Sequence, residues 1–100
     1  MIVNRRSFHV KNGCMEQALA LLRDAGQKYP HPQGRPRRLY TSDIGQLDVV
    51  AFEIEYADLA EYEAYWKAIA AQPWIDDFFA QWFTITEPGG KNEIWVVEPV

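Results

Sequence analysis

The sequence predicts a single α+β domain over residues 1–100: a four-stranded antiparallel sheet with helices on one face, its elements running β-α-β-β-α-β. Three observations lead there. Four short runs are rich in β-forming residues, two intervening stretches repeat apolar residues at spacings of three and four, and proline or glycine clusters separate them.

The first strand spans Ile2 to Val10 and is bounded by the turn cluster Lys11-Asn12-Gly13. From Cys14 to Tyr29, Met15, Ala18, Leu19, Leu22, Ala25 and Tyr29 mark one buried helical face, which Pro30 ends. Pro32, Gly34 and Pro36 make the next segment a stiff irregular loop. The second strand, Arg37 to Ile44, stops at Gly45-Gln46, and the third runs from Leu47 to Tyr56, so that a two-residue hairpin is expected between them. Asp58 is placed to cap the second helix, with Glu61 completing a capping-box spacing and Leu59, Tyr62, Trp66 and Ile69 on one face. Pro73 closes that helix and opens another. In it Asp76 and Asp77 sit near the positive end, and Ile75, Phe78, Phe79 and Trp82 form an aromatic stripe, read as core. The final strand is Glu93 to Glu98. This order is the ferredoxin-like one.

Composition sets the class. With 48% hydrophobic and 24% charged residues the chain reads as an ordinary globular domain, and no run approaches the ~20 apolar residues a membrane-spanning helix needs. The first ten residues lack the pattern of a secretory signal, and the lone Cys14 cannot form an internal disulfide, so a reducing, cytoplasmic location is expected. Residues 1–38 carry a net +6 and the remainder −10. An acidic chain without a nucleic-acid-binding signature is not expected to bind RNA or DNA, and the two halves are expected to neutralise each other across the sheet. Strand alternation separates Val50, Phe52, Ile54 and Tyr56 from Leu47, Val49 and Ala51, and Ile94 and Val96 from Trp95 and Val97. Apolar residues on both faces imply that a second copy covers the face the helices leave bare, giving a homodimer.

Met1-Ile2, Arg6, Phe8, Val10, Lys11 and Gly13 resemble the opening pattern of the NIPSNAP family. Ile44-Gly45-Gln46-Leu47-Asp48-Val49-Val50 is similar to that family's Gly-x-Leu-Asn-x-Val segment with Asp48 in place of Asn, and Pro73-Trp74 resembles its Pro-x-Trp helix start with one residue missing. The resemblance implies the dimeric α/β barrel superfamily, which includes antibiotic-biosynthesis monooxygenases and haem-degrading enzymes. It implies no particular activity. Haem-degrading members place an Asn on the first strand, a Trp on the second helix and a His ligand beyond it. Asn4 and Trp66 resemble the first two and the third has no counterpart here, so no haem is expected.

No hydrolytic triad, phosphate loop or metal-spacing motif is present, and neither metal nor cofactor is expected. His9 is read as a solvated strand-end residue, and His31 as an inert residue of a surface loop. Arg5 and Arg6 point to opposite faces, so Arg5 is assigned an ion pair with Glu53 or Glu55, and Arg6 is left to hold the anionic group of a ligand. Asn4 and Arg6 on the first strand, with Tyr62 and Trp66 on the second helix, are the ligand-binding candidates. Together they suit a small acidic or phenolic organic molecule, bound or oxidised without metal or haem. The second function class is a non-catalytic homodimeric interaction module.

Overall fold

β1 (Ile2–His9) is an interior strand of the sheet, both of its edges taken by neighbouring strands. The computed structural model describes all of residues 1–100. After β1 come α1 (Met15–Lys28), β2 (Arg37–Thr41), β3 (Val49–Tyr56), α2 (Leu59–Ala70), α3 (Ile75–Ile85) and β4 (Lys91–Val96). The sheet order is β2-β3-β1-β4, antiparallel throughout, which is the ferredoxin-like arrangement the sequence predicts. No helix is long and apolar enough to cross a membrane.

Register fixes which side chains meet the helices. Arg6 stands opposite Phe52 and Asn4 opposite Ile54, so Ile2, Asn4, Arg6 and Phe8 share a face with Val50, Phe52, Ile54 and Tyr56. Two apolar clusters cover that face. Val10, Ala18, Leu19, Val50, Trp82 and Ile85 join α1 and α3 to the sheet, while Ile54, Tyr56, Tyr65, Ile69 and Ile75 join α2 and the start of α3 to it. Phe78 packs against both. Asp58 caps α2 through its Oδ1, which accepts from the Glu61 N–H at 2.9 Å. Only that half of the capping box forms, because the Glu61 carboxylate binds Arg35 instead.

Three elements depart from their sequence boundaries. β2 and β3 end and begin at Thr41 and Val49, so the connection is residues 42–48 rather than a two-residue turn. Ile44 and Leu47 extend into solvent at 95% and 72% exposure, finding nothing to pack against, and Asp48 adopts the left-handed conformation with φ 58°. The Asp48 carbonyl accepts from the Val10 N–H at 2.8 Å, a bond that ties the end of the loop to the end of β1. β4 starts two residues early, at Lys91. Gly90 makes that pairing feasible, since a Cβ there would lie 2.8 Å from the Ser7 carbonyl oxygen.

The face away from the helices is more polar than the alternation predicts. Leu47 lies outside the sheet, leaving Val3, Val49, Ala51 and the 58%-exposed Trp95 beside Arg5, Arg38, Glu53 and Glu55. Arg5 pairs with Glu53 at 2.9 Å, as its register requires, and Tyr40 donates to the same carboxylate at 2.8 Å. This pair and Arg35–Glu61 both join the basic first part of the chain to the acidic remainder.

Trp82, 3% exposed, stacks on Phe78 and meets the Phe8 ring edge-on, whereas Phe83 one residue on is 68% exposed. Chemical denaturation of Trp82→Ala should show a loss of about 3–5 kcal/mol, against about 0.5 kcal/mol or less for Phe83→Ala.

Candidate functional site

The site begins with a cation that the strand alternation turns inward. Arg6 projects from β1 toward α2, where its guanidinium carbon lies 3.8 Å from the centroid of the Trp66 ring. Its Nη2 donates to the Tyr62 hydroxyl oxygen at 3.1 Å, and its Nε to Asn4 Oδ1 at 3.4 Å. Tyr62 and Trp66 reach it together because they are one helical turn apart on α2. Asn4, fully buried, is held from the other side: its Nδ2 donates to Asn92 Oδ1 at 2.7 Å and to the Glu93 carbonyl at 2.9 Å. Asn92 Nδ2 closes the ring by donating to the Tyr62 oxygen at 3.4 Å.

All four residues singled out in the sequence therefore converge on one guanidinium. No carboxylate pairs with it. A guanidinium has five N–H donors, and the bonds to Tyr62 and Asn4 occupy two, so three have no acceptor in the chain. The indole face compensates in part, by about 0.5–2 kcal/mol depending on desolvation.

Beside Arg6 a cavity of about 450 Å³ opens between the sheet and the three helices, within the range of small-molecule sites. Arg6 and Trp66 line it together with Phe8, Phe52, Phe78 and Trp82, and no aspartate or glutamate does. Asn4 and Tyr62 do not reach its wall; they stand behind Arg6 and fix its direction. Residues read in the sequence as core thus form much of the lining. Arg37, another lining residue, was not among the sequence candidates. Its signal was parity, since it pairs with Ile54 and so shares the inward face; its Nη2 donates to the Gly26 carbonyl at 2.9 Å.

His31 is not the surface residue expected from its flanking prolines. Its side chain is 2% exposed, stacked on Tyr65 at 5.5 Å and tilted against Tyr56 at 5.3 Å. Apolar and aromatic contacts inside the chain drew the proline-rich loop inward, which proline content alone does not reveal. Its Nδ1 accepts from the Gln33 N–H at 3.0 Å, and Nε2 lies 3.4 Å from Glu61 Oε1. Burial holds its pKa below the ordinary imidazole value, against the opposing pull of Glu61. Hydrogen bonding from Arg35 holds the Glu61 carboxyl below the usual carboxylate range. His9 remains at the end of β1, where its carbonyl accepts from the Glu87 N–H at 2.8 Å. No three His, Cys, Asp or Glu side chains are grouped to hold a metal ion.

The phenols divide by environment. Burial pushes the pKa of Tyr56 and Tyr65 up. Burial also acts to raise that of Tyr62, but donors from Asn92 and Arg6 and the Arg6 charge outweigh it, and the net shift is downward.

The NIPSNAP family model matches residues 3–87. The chain belongs to the NIPSNAP family. Among solved structures, a NIPSNAP domain protein from Burkholderia xenovorans superposes with TM-score 0.81 at 23% identity, covering 98% of this chain and 95% of that one. A NIPSNAP family protein from Agrobacterium tumefaciens gives TM-score 0.80 at 25% identity, over 95% and 90%. An antibiotic biosynthesis monooxygenase is similar in fold, with TM-score 0.71 at 15% identity over 99% and 100%. No functionally curated protein matches the chain.

The buried histidine of this NIPSNAP protein carries a pH consequence. The unfolded chain protonates His31 near the ordinary value of about 6.5, above the folded state, so the unfolded form binds more protons as pH falls through that window. Thermal melts should therefore show stability decreasing as pH drops below about 6.5. In His31→Gln that dependence should flatten.

Proposed function

We propose that the cavity beside Arg6 binds a small, flat, acidic or phenolic organic molecule, with neither metal nor haem taking part. One observation carries this reading: a half-buried guanidinium, unpaired by any carboxylate, at the wall of an aromatic-lined cavity free of acidic residues. A ligand carboxylate or phenolate supplies the missing charge, and charge-assisted bonds to its free N–H donors would be among the strongest available. Phe52, Phe78 and Trp82 offer the ring faces. Oxidation of a phenol or quinone-type compound is the activity to assay first, by analogy with the monooxygenase that shares the fold. The protein acts in the cytoplasm, where Cys14 remains a thiol.

Benzoate at a hundred times its dissociation constant would stabilise the folded form by about 2.7 kcal/mol, a readily measured rise in melting temperature. Arg6→Met keeps the stem over Trp66 and removes the charge, and should weaken benzoate binding by about 1.5–3 kcal/mol while leaving the protein folded. If no aromatic acid raises the melting temperature of the wild type, the non-catalytic interaction module becomes the better reading.

The homodimer is proposed on the strength of Trp95, 58% exposed beside Val3 on the face without helices. A second copy laid on that face would remove the indole from water. Sedimentation equilibrium at micromolar concentration should give twice 11.6 kDa for the wild type and the monomer mass for Trp95→Glu.

A further inference from the structure

Four of the chain's ten lysines and arginines line the cavity, namely Arg6, Arg23, Arg37 and Arg38, and none of its fourteen acids does, although the net charge is −4. A recess lined by one sign of charge focuses the field, so anions are drawn to this point of an otherwise acidic molecule. The four arginines are not equivalent. Arg37 is engaged, its Nη2 donating to the Gly26 carbonyl at 2.9 Å and its Nη1 to the Tyr29 carbonyl at 3.5 Å. Arg38 stands opposite Glu53 in register, so its side chain belongs to the face without helices, where it borders a small recess with Glu53 and Glu55. Arg23, exposed on α1, is in neither position. No carboxylate pairs with it: the adjacent Asp24 is taken by Lys28 at 2.9 Å, and Leu19, Ala20, Gly26 and Gln27 occupy the positions three and four residues away on the helix.

The register gives the separation of the two uncommitted cations. Arg6, Phe52 and Leu39 form one row across β1, β3 and β2, so two strand spacings, about 10 Å, lie between Arg6 and Leu39. Arg37 of β2 reaches α1 at Gly26, which sets the α1 turn bearing Arg23 on the β2 side of the cavity. Phe52 and Leu39 floor the space between, and Phe79 and Phe83, stacked at 5.6 Å on α3, carry the apolar lining out toward solvent. A single-ring acid seated on Arg6 stops short of α1. A longer aromatic body with an acid at each end covers the floor and meets both guanidinium groups.

We propose that Arg23 is a second anion contact of this cavity, and that the ligand is an elongated aromatic diacid held at one end by Arg6 and at the other by Arg23. The inference rests on the cavity binding an acid through Arg6, and it adds the ligand's length and its second charge.

Calorimetric titration of the intact protein with naphthalene-2,6-dicarboxylate and with 2-naphthoate reads the two ends separately. The diacid should bind the wild type roughly fivefold more tightly than the monoacid, the size expected of one partly solvated charge pair. Arg23→Gln should bring the two affinities together by weakening the diacid alone, and Arg6→Met should weaken both ligands. Arg38→Gln removes an exposed cation from the other face and should change neither. Equal affinities in the wild type, a preference that survives Arg23→Gln, or one lost as fully in Arg38→Gln overturns the proposal. Binding of 2-naphthoate through Arg6 with no gain for the diacid overturns the second contact alone; failure of both ligands to bind overturns the cavity reading and this inference with it.

Discussion

A cation turned toward the protein interior with no anion to meet it is the constraint around which the rest is arranged. Leaving Arg6 unsupported would carry a desolvation penalty, and the chain offsets it with neutral groups only: an indole face, a phenol oxygen and an amide oxygen. Each of those needs its own fixation. Asn4 is buried and so must be satisfied, which the pairing of β1 with β4 achieves by bringing Asn92 and the Glu93 carbonyl alongside. Tyr62 and Trp66 must point at β1, which requires α2 to start at Asp58 and hold its rotation about its axis. The position of β1 between two partners is thus what lets one residue organise two strands and a helix.

Contrast with Arg5 shows how much one step along a strand decides. Arg5 turns to the open face and finds Glu53 opposite in register, so its charge is spent on a pair that is partly exposed and worth little, about 0–1 kcal/mol. Had a carboxylate stood at Phe52 instead, Arg6 would be neutralised in the same way. The apolar stretch opposite Arg6 keeps that guanidinium available.

The alternation of strands and the period of helices made the element order and the convergence of Asn4, Arg6, Tyr62 and Trp66 legible in the sequence, because both follow from local geometry and one pairing rule. What stayed hidden depends on packing at longer range. Phe78 and Trp82 read as core and partly are, yet the space left between α1, α3 and the sheet gives them a second role as cavity lining that periodicity cannot separate from the first. His31 was misplaced because Pro30 and Pro32 say only that the loop is irregular, while its burial comes from Tyr56 and Tyr65, distant in sequence. The hairpin failed for a related reason: Gly45 and Asp48 both take positive φ, and the extended loop they create leaves Ile44 and Leu47 outside the sheet that the alternation had assigned them to.

Family membership and the chemistry of the cavity rest on different residues. The two strand pairings of β1, the Gly90 contact with Ser7 and the two apolar clusters would hold the same backbone with many side chains at position 6, since a residue there need only fit between Phe52 and Trp66. A leucine would pack there with less desolvation penalty than an arginine. Keeping a charge at that point therefore works against the stability of the fold, and the ring of Asn4, Tyr62 and Asn92 recovers only part of the difference, because hydrogen bonds to neutral partners are weaker than those to a carboxylate. A desolvation penalty of this kind, borne where an apolar residue would serve the fold better, is the physical reason to look for function at Arg6.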